Sequence, residues 1–125
     1  MCPQSKQTIL VASRDPDLAD VRKRVLEQAG YAVIGASTHL DIVAACTGSK
    51  LDLVLIGYSL PPAEKHRIAF EVRQHCKIPV LELHNSSPPT LEPQPYVVQH
   101  HSHAPDDFLD AVNAILRKKR LQARR

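Results

Sequence analysis

The chain has 125 residues, of which 43% are apolar and 23% are charged, the usage of an ordinary globular domain. This composition excludes a disordered tail, a collagen-like fibre and a disulfide-dense mini-protein, and the length predicts one domain around a single core. The net charge of +3 arises in residues 117–125, which carry six Lys or Arg and no acid, while the rest of the chain holds ten Lys or Arg against thirteen Asp or Glu. The basic character therefore belongs to the C-terminal segment and does not by itself predict a nucleic-acid-binding surface.

The three cysteines, Cys2, Cys46 and Cys76, are odd in number, widely spaced and without a C-x-x-C pair. We therefore expect neither a disulfide framework nor a structural zinc site, and we assign Cys46 and Cys76 to helix faces that contact the core. The N-terminal stretch is polar, and no apolar run approaches the roughly 18 residues of a membrane span. The sequence therefore predicts a soluble, cytoplasmic protein.

Strand and helix patterns alternate from the beginning of the chain. A β-branched apolar run over 8–12 predicts the first strand. Asp15-Pro16 predicts a helix start, because the carboxylate can cap free amides and proline suits the first helical position. The apolar stripe of this helix is assigned to Leu18, Val21, Val25, Leu26 and Ala29. Gly30 is placed to end the helix.

The alternation continues to the end of the chain. Further strands are predicted over 31–36, 52–57, 79–84 and 96–99. Further helices are predicted from Ser37 or Thr38 to Gly48, over 63–76 and over 105–120. The consecutive apolar residues Val54, Leu55 and Ile56 indicate a central parallel strand that is covered on both faces. Elements of these lengths in this order predict an α/β fold, a parallel sheet with helices on both faces.

Several stretches in sequence resemble the receiver domain of two-component response regulators, which has the CheY-like, flavodoxin-like fold. ILVASRDP at 9–16 resembles the first strand and helix start, DLVLIGYSLP at 52–61 resembles the strand and loop that carry the phosphoacceptor, and IPVLELH at 78–84 resembles the fourth strand. YVVQ, followed by DDFLDAVNAIL, resembles the fifth strand and last helix. The resemblance covers about 7–120 and implies a doubly wound five-stranded sheet of order 2-1-3-4-5, within a single receiver-like domain over 1–125.

The resemblance also assigns positions to phosphotransfer. Receivers use an aspartate after the third strand as phosphoacceptor, two acids after the first strand to hold Mg²⁺, a Thr or Ser at the end of the fourth strand and a Lys at the end of the fifth. In this sequence the phosphoacceptor position is Gly57, and the two acidic positions are Ser13 and Arg14. The Thr or Ser position is His84, and the Lys position is Gln99, or His100 if the alignment shifts by one. Glycine cannot be phosphorylated, and a hydroxyl with a cation cannot replace two carboxylates. We therefore interpret the chain as a degenerate receiver that is not an enzyme and has no cofactor.

A second departure from the family lies between the fourth and fifth strands, where receivers have a full helix. Only 85–95 fills this interval, and it holds four of the chain's ten prolines, which resist helix formation. We predict that this helix is lost or reduced to a turn. The sheet edge or apolar face exposed by its loss would then be covered by the proline segment or by another subunit.

Histidines gather at the predicted carboxyl edge of the sheet, namely His84, His100, His101 and His103. This edge is the usual ligand crevice of an open α/β sheet, so the imidazoles could bind Zn²⁺, Ni²⁺ or Cu²⁺ or act together as a pH sensor below about pH 6.5. The preferred interpretation is a solvated histidine-rich loop with one imidazole in place of the family's Thr, and no metal site is predicted. Glu82, two residues before His84 and expected on the same face, has no support as a substitute phosphoacceptor.

The favoured function is a stand-alone pseudo-receiver that signals through phosphorylation-independent contact with a protein partner in trans, another copy of the chain included. Membrane attachment is not expected. The basic segment at 117–125 suits a helix C-terminus, and without an accompanying aromatic or recognition helix it does not predict nucleic acid as a partner. Two alternatives stay open: a divergent receiver in a two-component phosphorelay, and a small-ligand or metal-binding α/β module that uses the histidine crevice.

Overall fold

The computed structural model describes residues 7–48, 50–85, 88–91, 96–102 and 107–123. Its strands are β1 (Thr8–Ala12), β2 (Ala32–Ala36), β3 (Leu53–Ile56), β4 (Val80–His84) and β5 (Val97–His101). Its helices are α1 (Pro16–Gln28), α2 (His39–Gly48), α3 (Pro62–His75) and α4 (Leu109–Ala123). Every pairing in the sheet is parallel, and the strand order is β2-β1-β3-β4-β5. The predicted doubly wound sheet is confirmed.

The sheet separates two apolar clusters, because successive residues of a strand point to opposite faces. Leu10 and Val54 belong to the cluster that α2 and α3 cover. Ile9 and Leu55 belong to the cluster that α1 and α4 cover. All four residues of β3 are buried, as expected for a central strand with helices on both sides.

Helix α1 begins as predicted and faces the sheet differently from the prediction. The Asp15 carboxylate caps it by accepting the amides of Asp17 and Leu18 at 3.0 and 3.3 Å. Val21 is 37% exposed, Ala29 is also exposed and Arg22 is fully buried, so the assignment of Val21 and Ala29 to the buried stripe is wrong. Position 22 lies in the middle of the arc that the other apolar residues of the helix define, and position 21 lies at its rim. Helical geometry therefore favours burial of residue 22 although it is an arginine.

The described part of the proline segment is not helical, as predicted, and the last helix begins and ends later than predicted. None of the described residues between β4 and β5, 85, 88–91 and 96, is helical, in agreement with a lost or shortened helix. Helix α4 begins at Leu109 and continues to Ala123, whereas the prediction was 105–120, of which 105 and 106 lie outside the described residues. The backbone of most of the basic segment is therefore helical, because no glycine or proline interrupts it.

The structure contains a disulfide between Cys46, in the last turn of α2, and Cys76, the C-cap of α3, with 5.3 Å between the two α-carbons. The expectation that these cysteines stay unpaired is wrong. Their assignment to helix faces that contact the core is correct, since both pack against the same cluster. Thirty residues separate them in sequence, and they meet because α2 and α3 cover the same face of the sheet.

None of the helices in the described part of the chain has the length and hydropathy of a membrane span.

Candidate functional site at the carboxyl edge of the sheet

The residues at the predicted phosphotransfer positions surround the carboxyl edge of the sheet. Ser13 and Arg14 follow β1, Gly57 follows β3, and His84 ends β4. Ala12 and Ile56 are register partners, and the Gly57 amide donates to the Ala12 carbonyl at 3.0 Å. Ser13 and Gly57 therefore adjoin one another at the end of two neighbouring strands, where ligands bind in folds of this kind.

The space above Gly57 is occupied by the side chain of Arg22, which reaches it from α1. A β-carbon built on Gly57 would lie 2.3 Å from Arg22 Nη1 and 3.3 Å from Arg22 Cζ. Arg22 has no exposed surface, so its guanidinium has little room to move aside. While Arg22 keeps this place, residue 57 has no room for a β-carbon, and an aspartate there would displace the guanidinium.

The Arg22 guanidinium is buried without enough hydrogen bonds to offset its removal from water. Within the described part of the chain, Nε, Nη1 and Nη2 have no hydrogen-bond partner of ordinary geometry. The Tyr58 ring lies beside the cation, with 5.0 Å between the ring centroid and Cζ, as in a cation–π contact. Burial lowers the pKa of Arg22, while the nearby Tyr58 and Asp15 raise it. A guanidinium nevertheless stays charged, so a cation lies above the position predicted for the phosphoacceptor.

The two positions after β1 do not supply a cation site. Ser13 is buried, and its Oγ lies 3.2 Å from Ser59 Oγ and accepts the Asp15 amide at 3.2 Å. Arg14 extends to solvent and pairs with Glu64 of α3. Mg²⁺ takes carboxylate and other hard oxygen ligands, and among the residues that the structure describes no group of three or more His, Cys, Asp or Glu is arranged to hold a metal ion.

The histidines of the carboxyl edge are divided between the two faces of the sheet. His84 and His101 are register partners, and their rings stack with centroids 5.1 Å apart and planes 6° apart. His100 lies on the opposite face by strand alternation, and its Nε2 is 3.4 Å from Asp107 Oδ1. His103 lies outside the described residues. The structure therefore brings together two of the four predicted imidazoles and turns a third away from them.

Glu82 of β4 is a fully buried carboxylate at the centre of a polar network. Lys65 of α3 donates to Oε2 at 3.1 Å, and the amides of Thr90 and Leu91 donate to the two oxygens at 2.8 and 2.9 Å. Gln99 donates to Glu82 Oε1 at 3.4 Å and also to the Leu91 carbonyl. Burial by itself raises the pKa of Glu82, but the Leu91 and Thr90 amides and Lys65 together hold it below its ordinary value.

This network attaches the proline segment to the sheet. Leu91 is buried in the same cluster that α2 and α3 cover. Gln99, at the position predicted for the Lys of receivers, donates to the Leu91 carbonyl of this segment. Glu82 does share the face of His84, as expected, and its oxygens are engaged in holding Lys65 and two backbone amides.

Sequence reasoning missed Arg22, Lys65 and the role of Glu82. The signals were present in the spacing: Arg22 is four residues before Leu26, and Lys65 is three residues before Ile68, so both lie on buried helix faces. Glu82 stands between two leucines of a short strand. A charged residue at such a position needs a partner from another element, and the sequence alone does not identify it.

A cavity of about 140 Å³ opens beside the network. Its lining residues are Tyr58, Leu60, Pro62, Lys65, His84, Asn85, Pro88 and Thr90. Among its polar side chains Lys65 only donates hydrogen bonds, whereas the others can donate or accept, and the described lining includes no carboxylate. The cavity lies at the carboxyl edge, next to the Arg22 and Gly57 pair through the shared residue Tyr58.

No protein-family model matches the chain. A curated relative, the sensory transduction protein BceR of Halalkalibacterium halodurans, is 30% identical over 82 residues, which are 66% of this chain and 36% of that protein. The chain therefore corresponds to a minor part of the length of this relative.

Solved structures share the fold over nearly the whole chain. A CheY-like response regulator receiver domain from Methanospirillum hungatei has a TM-score of 0.73 at 18% identity, covering 94% of this chain and 99% of its own. The N-terminal domain of a response regulator/sensory box/GGDEF 3-domain protein from Carboxydothermus hydrogenoformans has a TM-score of 0.76 at 20% identity, with the same two coverages. The signal receiver domain of an HD domain-containing protein from Pseudomonas fluorescens has a TM-score of 0.77 at 14% identity, covering 100% and 97%. The chain therefore has the CheY-like flavodoxin fold of response regulator receiver domains.

Proposed function

We propose that the chain is a pseudo-receiver, a signalling module with the receiver fold that takes up no phosphoryl group and acts through contact with a protein partner. The observation that carries the proposal is the pair at the end of β3: Gly57 has no nucleophile, and the Arg22 guanidinium fills the space that a side chain at position 57 would need. Glycine beneath a buried cation offers no side-chain oxygen that could accept a phosphoryl group.

The residues after β1 support the same conclusion. Phosphoryl transfer in receivers depends on a divalent cation that neutralises the phosphoryl oxygens. Ser13 and Arg14 offer one hydroxyl and one cation, and Arg14 is engaged with Glu64. A divalent cation has no carboxylate pair to bind at this point, so the chain is proposed to act without catalysis and without a resident cofactor.

A signalling module without phosphotransfer must change state through binding. We propose a protein partner in trans in the cytoplasm, another copy of the chain included, and a single domain over 1–125. The face over β4 and β5 is covered by the proline segment through Glu82, so partners that recognise the family's helix at this place would not recognise this chain. Partner contact is expected to differ here from that of ordinary receivers.

Incubation with acetyl phosphate and Mg²⁺, followed by intact mass spectrometry at neutral pH, tests the proposal. The expected result is no mass increase of one phosphoryl group, and no Mg²⁺-dependent change of the Ser13, Gly57 and His84 amide signals on addition of beryllofluoride. A variant with Gly57→Asp, Ser13→Asp, Arg14→Asp and Arg22→Leu, which restores the family's acids and removes the cation, is the positive control. Phosphorylation of the unaltered chain would instead favour the divergent phosphorelay receiver, and saturable Zn²⁺ binding lost on His84→Ala would favour the metal-binding module.

A further inference from the structure

We propose that a cavity at the amino edge of the sheet, where β4 and β5 begin, is a binding site for a small aromatic carboxylate. The cavity has a volume of about 370 Å³, and its described lining consists of Arg73, Gln74, Lys77, Ile78 and Tyr96. Small-molecule sites usually measure about 300–1,000 Å³. The cavity lies at the opposite end of the strands from the phosphotransfer positions, so the inference goes beyond the pseudo-receiver function and does not depend on it.

The charge of the described lining is positive. Arg73 belongs to the last turn of α3, and Lys77 follows the C-cap of that helix. The C-terminus of a helix carries about half a negative charge, which the two cations together exceed. The described lining contains no carboxylate, and the carboxylate of Glu71, the acid nearest in sequence, contacts His75 at 3.2 Å. The cavity therefore attracts an anion.

The remaining walls of the cavity favour an anion with a flat apolar body. The Arg73 Cζ lies 4.7 Å from the centroid of the Tyr96 ring, and Arg73 Nη1 donates to the Tyr96 hydroxyl at 2.8 Å. Guanidinium and phenol planes both stack on aromatic rings. Ile78 is half-buried and packs against the cluster that α2 and α3 cover. A ligand that joins one carboxylate to an aromatic ring meets the cations and covers Ile78 at the same time.

The backbone of Lys77 has a conformation that favours glycine. Its φ is 55°, and among the described residues it is the one non-glycine residue with a positive φ. The left-handed region is less favourable for a residue with a β-carbon than for glycine. Residues held in such conformations concentrate at ligand sites. In this chain the residue concerned supplies a positive charge to the cavity.

Contacts within the chain hold the cavity in shape without a ligand. The Lys77 amide donates to the Val72 carbonyl at 3.0 Å, and the preceding residue, Cys76, is bonded to Cys46 of α2. On the other side of the cavity, the Val80 amide donates to the Tyr96 carbonyl at 2.8 Å. A site whose backbone is fixed in advance loses less entropy when a ligand binds.

Titration of the full chain with sodium benzoate at constant ionic strength tests the inference. The readouts are the NMR amide signals of Lys77, Ile78 and Tyr96, which should shift and saturate. Benzamide keeps the ring without the charge, and acetate keeps the charge without the ring. Each should bind at least about fivefold more weakly than benzoate, because it lacks either the ionic or the apolar contact.

Lys77→Gly removes one cation and also suits the backbone at this position, so it should weaken benzoate binding about fivefold without lowering the free energy of unfolding. Lys50→Gly is the matched control, because Lys50 is an exposed lysine before β3, at the same edge of the sheet, and does not line the cavity. It should bind benzoate as the unaltered chain does. Absence of saturable shifts with benzoate, equal binding of benzamide or acetate, or unchanged binding in Lys77→Gly overturns the inference. None of these results bears on the pseudo-receiver proposal, which fails only on covalent, Mg²⁺-dependent phosphorylation.

Discussion

The Arg22 guanidinium lies directly over the α-carbon of Gly57, with Nη1 2.3 Å from the place of a β-carbon on residue 57. The two residues belong to α1 and to the end of β3, 35 positions apart. The size of each side chain limits the size of the other. A larger residue at 57 excludes the buried guanidinium, and a shorter residue at 22 leaves a void above the glycine. A side chain at position 57 and the Arg22 guanidinium in its present place therefore exclude one another.

Gly57→Ala should lower the free energy of unfolding by about 1–3 kcal/mol, the usual range for overpacking a buried site. The effect should be much smaller in the Arg22→Leu background, because the atom that the new methyl group meets is then absent. Urea unfolding of the two single variants and the double variant gives the coupling free energy. Equal effects of Gly57→Ala in both backgrounds would show that the two side chains do not compete for this space.

Arg22→Met should leave the free energy of unfolding unchanged or raise it, by up to about 3 kcal/mol. Replacing a buried, unsatisfied charge with an apolar side chain of similar length removes its desolvation penalty and keeps most of the packing. Arg73→Met, at an exposed position with its own tyrosine contact, should change stability by less than about 0.5 kcal/mol. A large loss of stability in Arg22→Met alone would mean that the guanidinium has a counter-charge in the folded chain.

Glu82→Gln should lower the free energy of unfolding by about 3–5 kcal/mol at neutral pH, because it leaves Lys65 buried without its counter-charge. The folded-state pKa of Glu82 is held below its unfolded value of 4.5. The stability due to the carboxylate is therefore fully present above about pH 4.5 and is lost as the pH falls through the lower, folded-state pKa.

Chemical unfolding of the unaltered chain and Glu82→Gln between neutral pH and pH 3 measures this term. The difference in free energy between them should be constant above about pH 4.5 and shrink below it. Asp110→Asn, at an exposed position in the first turn of α4, controls for loss of a carboxylate that is not buried. A difference that does not change with pH would contradict the assignment.

Reduction of the Cys46–Cys76 disulfide should lower the free energy of unfolding by about 3–4 kcal/mol, the chain-entropy value for a loop of roughly 30 residues. Urea unfolding with and without a phosphine reductant measures the effect. The double variant Cys46→Ser, Cys76→Ser should be insensitive to the reductant at this level. Alkylation of Cys46 and Cys76 before reduction, detected by peptide mapping, would contradict the pairing.

The strands and the sheet order could be predicted because the local sequence patterns and the receiver resemblance indicate the same elements in the same order. β3 is a consecutive apolar run, and Asp15-Pro16 begins α1 with its own cap. The receiver resemblance then fixes the order β2-β1-β3-β4-β5, which periodicity alone leaves open. Gly30 adopts a φ of 101° after α1, where only glycine is unstrained.

The polar core could not be predicted, because its members come from different elements. The predicted apolar stripe of α1 included Val21 for its side chain and did not include Arg22, which is the residue that is buried. Lys65 and Glu82 are 17 positions apart and neutralise one another only once α3 packs on β4. The disulfide likewise depends on α2 and α3 sharing one face. In each case the outcome depends on a distance in the folded chain, whereas the residue type alone favoured the opposite prediction.

The way in which the proline segment is attached leaves most of its side chains free to vary between related chains. The groups that Glu82 holds at positions 90 and 91 are backbone amides, which every residue except proline provides. Apart from Leu91, whose side chain is buried in the core, side chains in the described part of the segment can therefore change without loosening its attachment, whereas a helix packed on the same strands would have to keep its apolar stripe. Related chains that retain Glu82 and Lys65 could present very different surfaces over β4 and β5, and so acquire new partners while the sheet beneath stays the same.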